Sequence, residues 1–200
     1  MDKISTFLAD YCIRHSQVPR EKREIYIYGF KLIFADIINF GIIILFGLYT
    51  AKLKESIIFL ITLCGLRQYS GGFHAKTFLI CRISMIITYV AVTVTTIFLE
   101  SRKEVFFIVL ILNIISTIFI SILAPIENAN KKLSIYQKSE NKIKSIIASA
   151  VFSLGSTLLT VSNFKTEGVT ISITILAVGI LMVIGLVAKK GGDSGVQLVN

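Results

Sequence analysis

Ser56-Ile57-Ile58-Phe59-Leu60-Ile61-Thr62-Leu63-Cys64-Gly65-Leu66 is an apolar run that ends at Arg67-Gln68-Tyr69-Ser70-Gly71-Gly72. A helix needs roughly 20 residues to cross a hydrocarbon core of about 30 Å, so this run is too short alone. It becomes a span only if the helix continues into the polar hexapeptide. Irregular backbone at membrane depth survives only where protein or a water-filled cavity satisfies its polar groups. The short run is therefore also a pointer to a site.

Five longer runs surround it: Phe30–Tyr49, Phe78–Leu99, Val105–Leu123, Ile143–Val161 and Val169–Ala188. Of the 200 residues, 54% are hydrophobic and 16% charged, well outside soluble-domain values of about 45–50% and about 25%. That composition excludes a disordered chain, a disulfide scaffold and an ordinary cytosolic enzyme. It predicts an all-α, polytopic membrane protein, with residues 1–200 forming one membrane-embedded domain and 30–188 its transmembrane bundle.

Charge decides between five spans and six. The 21 Lys and Arg against 12 Asp and Glu give a net charge of +9. They cluster between apolar runs rather than along one amphipathic face, which reads as topology-setting charge and not as nucleic-acid binding. With six spans and a cytoplasmic N-terminus, fourteen of the cations fall inside and five outside; Lys31 and Arg82 lie within spans. Five spans would move Lys131 to Lys144 outside, against the positive-inside rule. The sequence thus predicts six transmembrane helices with both termini cytoplasmic. Pro125 is expected to stop the fourth.

Before the first span, Ile4, Phe7, Leu8, Tyr11 and Cys12 follow the i, i+3, i+4, i+7, i+8 pattern of an amphipathic helix over residues 2–15. With Lys3 and Arg14 read on its other side, it is expected to lie on the membrane surface. No signal peptide is read.

Two polar features stand where lipid would penalise them. Asp36 in the first span and Arg82 in the third are expected to form an ion pair near the site. The other feature is Arg67-Gln68-Tyr69-Ser70-Gly71-Gly72-Phe73-His74-Ala75-Lys76-Thr77, followed by Cys81. Adjacent glycines break a helix and let backbone approach closely. A histidine can take the proton of a cysteine thiol, so His74 and Cys81 make a sufficient base and nucleophile for acyl transfer. On one continuous helix their Cα atoms would lie about 10.5 Å apart, too far for a proton transfer. The segment before Cys81 must fold back if the pair is to work.

Cys12 and Cys64 read as small buried hydrophobes, and His15 as an interfacial residue. Three cysteines without CxxC spacing offer no zinc site, and no cofactor or metal ligand set is read. Gly192-Asp193-Ser194-Gly195 superficially matches a serine-protease segment but lacks the partners a triad needs. Read from the residues alone, a small non-enzymatic transporter or peptide exporter also fits, with Asp36, Arg82 and His74 lining a pathway and Cys81 serving as packing.

The spacing Arg67-Gln68-x-x-Gly71-Gly72-x-His74-Ala75, with Cys81 seven residues after the histidine, resembles the accessory gene regulator B (AgrB) family. So does Pro125-x-Glu127-Asn128-x-Asn130-Lys131 at the end of the fourth span. The resemblance implies a bacterial membrane cysteine peptidase that matures quorum-sensing propeptides. It implies His74 as general base and Cys81 as nucleophile, with Arg67, Gln68, Gly71 and Gly72 as supporting motif positions. The substrate it implies is an AgrD-like propeptide with an amphipathic leader, a central cysteine and an acidic tail, which Lys131 and Lys132 would attract. Ser70, Glu127 and Asn128 are candidates for a third member that orients His74. The resemblance also implies a homodimer, for which Gly41, Gly47, Gly155 and Gly179 would permit close helix contact.

Overall fold

The computed structural model describes residues 2–15, 23–71, 78–126 and 134–193. Among these the chain is helical throughout, with one isolated bridge and no strand. The elements are α1 (Asp2–His15), α2 (Arg23–Tyr49), α3 (Leu53–Ser70), α4 (Phe78–Glu100), α5 (Val105–Leu123), α6 (Ile135–Val161) and α7 (Lys165–Asp193). The chain divides within α2 into two compact units, Met1–Phe46 and Gly47–Asn200.

In the first unit, α1 is a helix over the expected residues. Ser5 and Ala9 are its buried positions, while Ile4, Phe7 and Tyr11 point outward. Lys3 and Arg14 are exposed too. They do not lie opposite the apolar side chains as expected. A period of 3.6 residues puts Lys3, Phe7, Tyr11 and Arg14 on one stripe. Arg23, at the start of α2, grips Asp10 with two hydrogen bonds, Nε to Oδ1 at 2.7 Å and Nη2 to Oδ2 at 3.1 Å. That hydrogen bond, foremost, holds the Asp10 carboxyl below its ordinary value of 3.8.

The second unit is organised around α7, which packs against α3, α4, α5 and α6. Its span is 56% buried, against 22–28% for the other long apolar helices. Val169, Ile175, Val178 and Met182 are almost wholly enclosed. Around this hub the usual burial pattern is inverted. The buried positions of α6 are Ser145, Ser149, Ser156 and Thr160, whereas Ile143, Ile147, Val151, Leu154 and Leu158 are exposed. Water would punish that arrangement. Lipid does not, because hydrocarbon is as apolar as leucine and helices then associate through small residues and interhelical hydrogen bonds. With α2, α4, α5, α6 and α7 long and apolar enough to cross a bilayer, this is a multi-pass membrane protein.

The short run continues as a helix beyond Leu66 to Ser70, as a span would require. Its 18 residues include Lys54, Glu55 and Arg67, and with these charges α3 is not among the five helices long and apolar enough to cross a bilayer, one fewer than expected. Ser56, Phe59, Leu63, Leu66 and Ser70 form its buried stripe. The structure ends α5 at Leu123, before Pro125 as expected. Ala124 is extended with φ −74° and ψ 147°, the conformation a following proline imposes.

Of the glycines expected to permit helix contact between copies, Gly47 is taken up within the chain. A Cβ there would overlap the Ser56 side chain, and one on Gly179 would touch the Phe119 ring at 3.6 Å. Gly41 and Gly155 have no neighbour within 4 Å of a Cβ position.

Candidate active site

Two helix ends bring Arg67–Gly71 of the first motif against Pro125-Ile126 of the second. The first is the C-terminus of α3. Arg67 is half-buried, Gln68 is exposed and Ser70 is fully buried. Gly71 caps the helix by donating its N–H to the Arg67 carbonyl at 3.1 Å, with φ +72° and ψ −151°. Only glycine adopts that backbone readily.

The second is the exit of α5. The Ile126 N–H donates to the Ser70 carbonyl at 2.9 Å, and Gly71 pairs with Ile126 in a parallel bridge. The segment Pro125-Ile126 therefore lies against the end of α3. Sequence reasoning named Pro125 and Glu127 but missed Ile126, since a single bridge between distant residues leaves no periodic signal. Helix α6 starts at Ile135. A capping box there has Ser134 Oγ accepting from the Gln137 N–H and the Gln137 side chain accepting from the Ser134 N–H. From this helix the Lys144 ammonium lies 5.7 Å from the Tyr69 ring centroid.

Cys81 lies three residues into α4 and is half-buried. Arg82 follows it, also half-buried, and Asp36 lies on α2 in the first unit. An apolar groove of about 510 Å³ runs between α4 and α7, with Ile80 at its Cys81 end and Ser84 and Thr88 among its walls. Gly72, His74, Glu127, Asn128, Lys131 and Lys132 lie outside the described residues.

The other two cysteines depart from expectation. Cys64 is exposed and Cys12 is half-buried. For Cys64 the reason is helical phase. Leu63 belongs to the buried stripe of α3, and the next residue is rotated by about 100° onto the exposed stripe of Ile57, Ile61 and Gln68. All three cysteines are reduced thiols. Among the described residues no group of three or more His, Cys, Asp or Glu is placed to hold a metal ion.

This arrangement offers a thiol at a helix start. Two other chain segments are fixed against each other at the end of the preceding helix. The sequence profile of the accessory gene regulator B family matches residues 2–186. A putative AgrB-like protein 2 from Clostridium perfringens strain 13 is 25% identical over 148 residues, covering 72% of this chain and 69% of the relative. A putative AgrB-like protein from C. perfringens strain SM101 is 23% identical over the same shares. Protein FsrB from Enterococcus faecalis is 35% identical over 65 residues, covering 32% of this chain and 27% of FsrB. No solved structure matches. With nearly its whole length matched, the chain belongs to the accessory gene regulator B family.

Proposed function

We propose that this protein is a membrane-embedded cysteine endopeptidase that removes the C-terminal tail of a quorum-sensing propeptide and cyclises what remains. Family membership carries the broader role, the processing of quorum-sensing propeptides. The observation that carries the chemical reading is Cys81 at the head of α4, ten residues beyond the helix end that Gly71 makes. A thiol there is held by a rigid helix, and the chain between Gly71 and α4 supplies His74.

In this mechanism His74 takes the Cys81 proton and the sulfur attacks the carbonyl carbon between the future signal and its tail. Hydrogen-bond donors around Cys81 would stabilise the developing oxyanion. The C–N bond breaks, His74 gives the proton to the leaving amine, and a thioester to Cys81 remains. The propeptide's own thiol then attacks that thioester, closing a thiolactone and returning the proton to Cys81 through His74. A substrate serine would give a lactone instead. Exchange of one thioester for another is near energetic balance, so cyclisation depends on keeping water out and the two sulfurs close.

The topology proposed for this chemistry has six spans. At about 1.5 Å per residue, α3 is about 27 Å long, close to the hydrocarbon thickness. Counting it places both termini and the Gly71 end in the cytoplasm, where an unexported propeptide arrives.

The test is co-expression with the propeptide. Cys81→Ser, Cys81→Ala and His74→Ala each lose cleavage, and wild type accumulates a covalent substrate adduct that hydroxylamine releases. Cleavage by Cys81→Ala would overturn the reading.

A further inference from the structure

The described ends of the two motif segments, Gly71 and Ile126, pair with each other, and Gly71 is the centre of that pairing. Three constraints meet on this residue. Its backbone, at φ +72° and ψ −151°, lies in a region closed to side chains. A Cβ would overlap the carbonyl oxygen of Ile126. Its N–H is already committed to closing α3 on the Arg67 carbonyl. A helix can end at an ordinary αL glycine without any partner. Here the end is also paired with a second segment, whose Ile126 is 7% exposed and hydrogen-bonded to the fully buried Ser70. Pairing of this kind fixes the register between the end of α3 and the exit of α5.

We propose that Gly71 is a positioning residue for cleavage, acting through its backbone pairing with Ile126 to set the point from which the chain leads to His74. The inference rests on the reading of His74 and Cys81 as base and nucleophile. Gly71 carries no side chain that could act on the reacting atoms. Its contribution is placement, and misplacing a catalytic group by about 1 Å costs on the order of a hundredfold in rate.

The experiment compares wild type, Gly71→Ala and His74→Ala in a background where Cys12 and Cys64 are serine. It measures kcat and KM for propeptide cleavage, and the rate of Cys81 alkylation by iodoacetamide at neutral pH. Gly71→Ala is expected to lower kcat about a hundredfold with KM within about twofold, and to slow alkylation to the rate of His74→Ala. If Gly71→Ala alkylates and turns over like wild type while His74→Ala does not, the positioning role is wrong and the dyad stands. If His74→Ala alkylates and cleaves like wild type, the dyad itself is wrong. Should Gly71→Ala fail to fold, hydrogen exchange on the wild type decides. A protected Ile126 amide supports the pairing, and exchange at the rate of an unstructured amide overturns it.

Discussion

The Ser156 hydroxyl on α6 donates a 2.7 Å buried hydrogen bond to the carbonyl of Gly168 on α7. A Cβ on Gly168 would overlap Thr160 Oγ1 and the Ser156 carbonyl. The two helices thus approach to backbone distance where the hub helix enters the bundle. Gly168→Ala is expected to destabilise by about 1–3 kcal/mol through overpacking. That exceeds the gain of at most about 1 kcal/mol from replacing a helical glycine. Gly155→Ala on the same hairpin, with open space around its Cβ position, should be neutral or stabilising by up to about 1 kcal/mol. SDS titration of the detergent-solubilised protein reads both. Equal effects would refute the close approach.

Asn113 joins α5 to α6 through one amide group. Its Nδ2 lies 3.1 Å from the Ser153 carbonyl, 3.2 Å from Ser156 Oγ and 3.1 Å from Thr157 Oγ1. Both hydroxyls spend their protons elsewhere, Ser156 on Gly168 and Thr157 on the Ser153 carbonyl. Only their lone pairs face Asn113, which fixes the amide with nitrogen toward α6. Asn113→Ala should cost about 0.6–1.7 kcal/mol, the range for such bonds in membrane proteins. Asn113→Asp should cost more, because an acceptor then faces acceptors. An aspartate variant as stable as wild type in the same titration would mean the amide is oriented otherwise.

How much of this was legible beforehand differs by element. For α4 and α5 the apolar runs and the helices nearly coincide, and the short polar turn from Ser101 to Glu104 separates them. The structure starts α2, α6 and α7 earlier than their runs, at Arg23, Ile135 and Lys165. Hydropathy marks the part that meets hydrocarbon, whereas a helix is held by backbone bonds that do not need apolar side chains. The Ser134-x-x-Gln137 cap was present as a start signal and went unread. At the site, residue types and spacing pointed to Cys81 and to the Gly71 break. The pairing of Gly71 with Ile126 was not legible, because it runs through backbone groups every residue possesses.

Acid should loosen α1 before it affects the bundle. Unfolded, an Asp carboxyl titrates near 3.8, and the Arg23 hydrogen bond holds Asp10 below that value. A depressed carboxyl contributes fully above its unfolded value and is lost as pH falls through 3.8 and lower. Both side chains are well exposed, at 40% and 38%, so the contribution is small and screened by salt. A spin label on α1 should gain mobility between about pH 5 and about pH 2 in wild type. In Asp10→Asn it should be mobile throughout. A pH-independent wild-type signal would show that the bridge does not anchor the helix.

The three thiols should separate by function. Cys64 sits on the exposed stripe of α3, Cys12 on α1, and Cys81 alone stands at the head of α4 in the first motif. A double variant, Cys12→Ser with Cys64→Ser, exchanges sulfur for oxygen at one half-buried and one exposed position and should be within about 0.5 kcal/mol of wild-type stability. It should retain propeptide cleavage. Adding Cys81→Ser should abolish cleavage, because an alkoxide forms far less readily than a thiolate and a single imidazole does not make up the difference. If cleavage instead falls in the double variant and survives in Cys81→Ser, the nucleophile belongs to another helix, and α4 is left with a structural role alone.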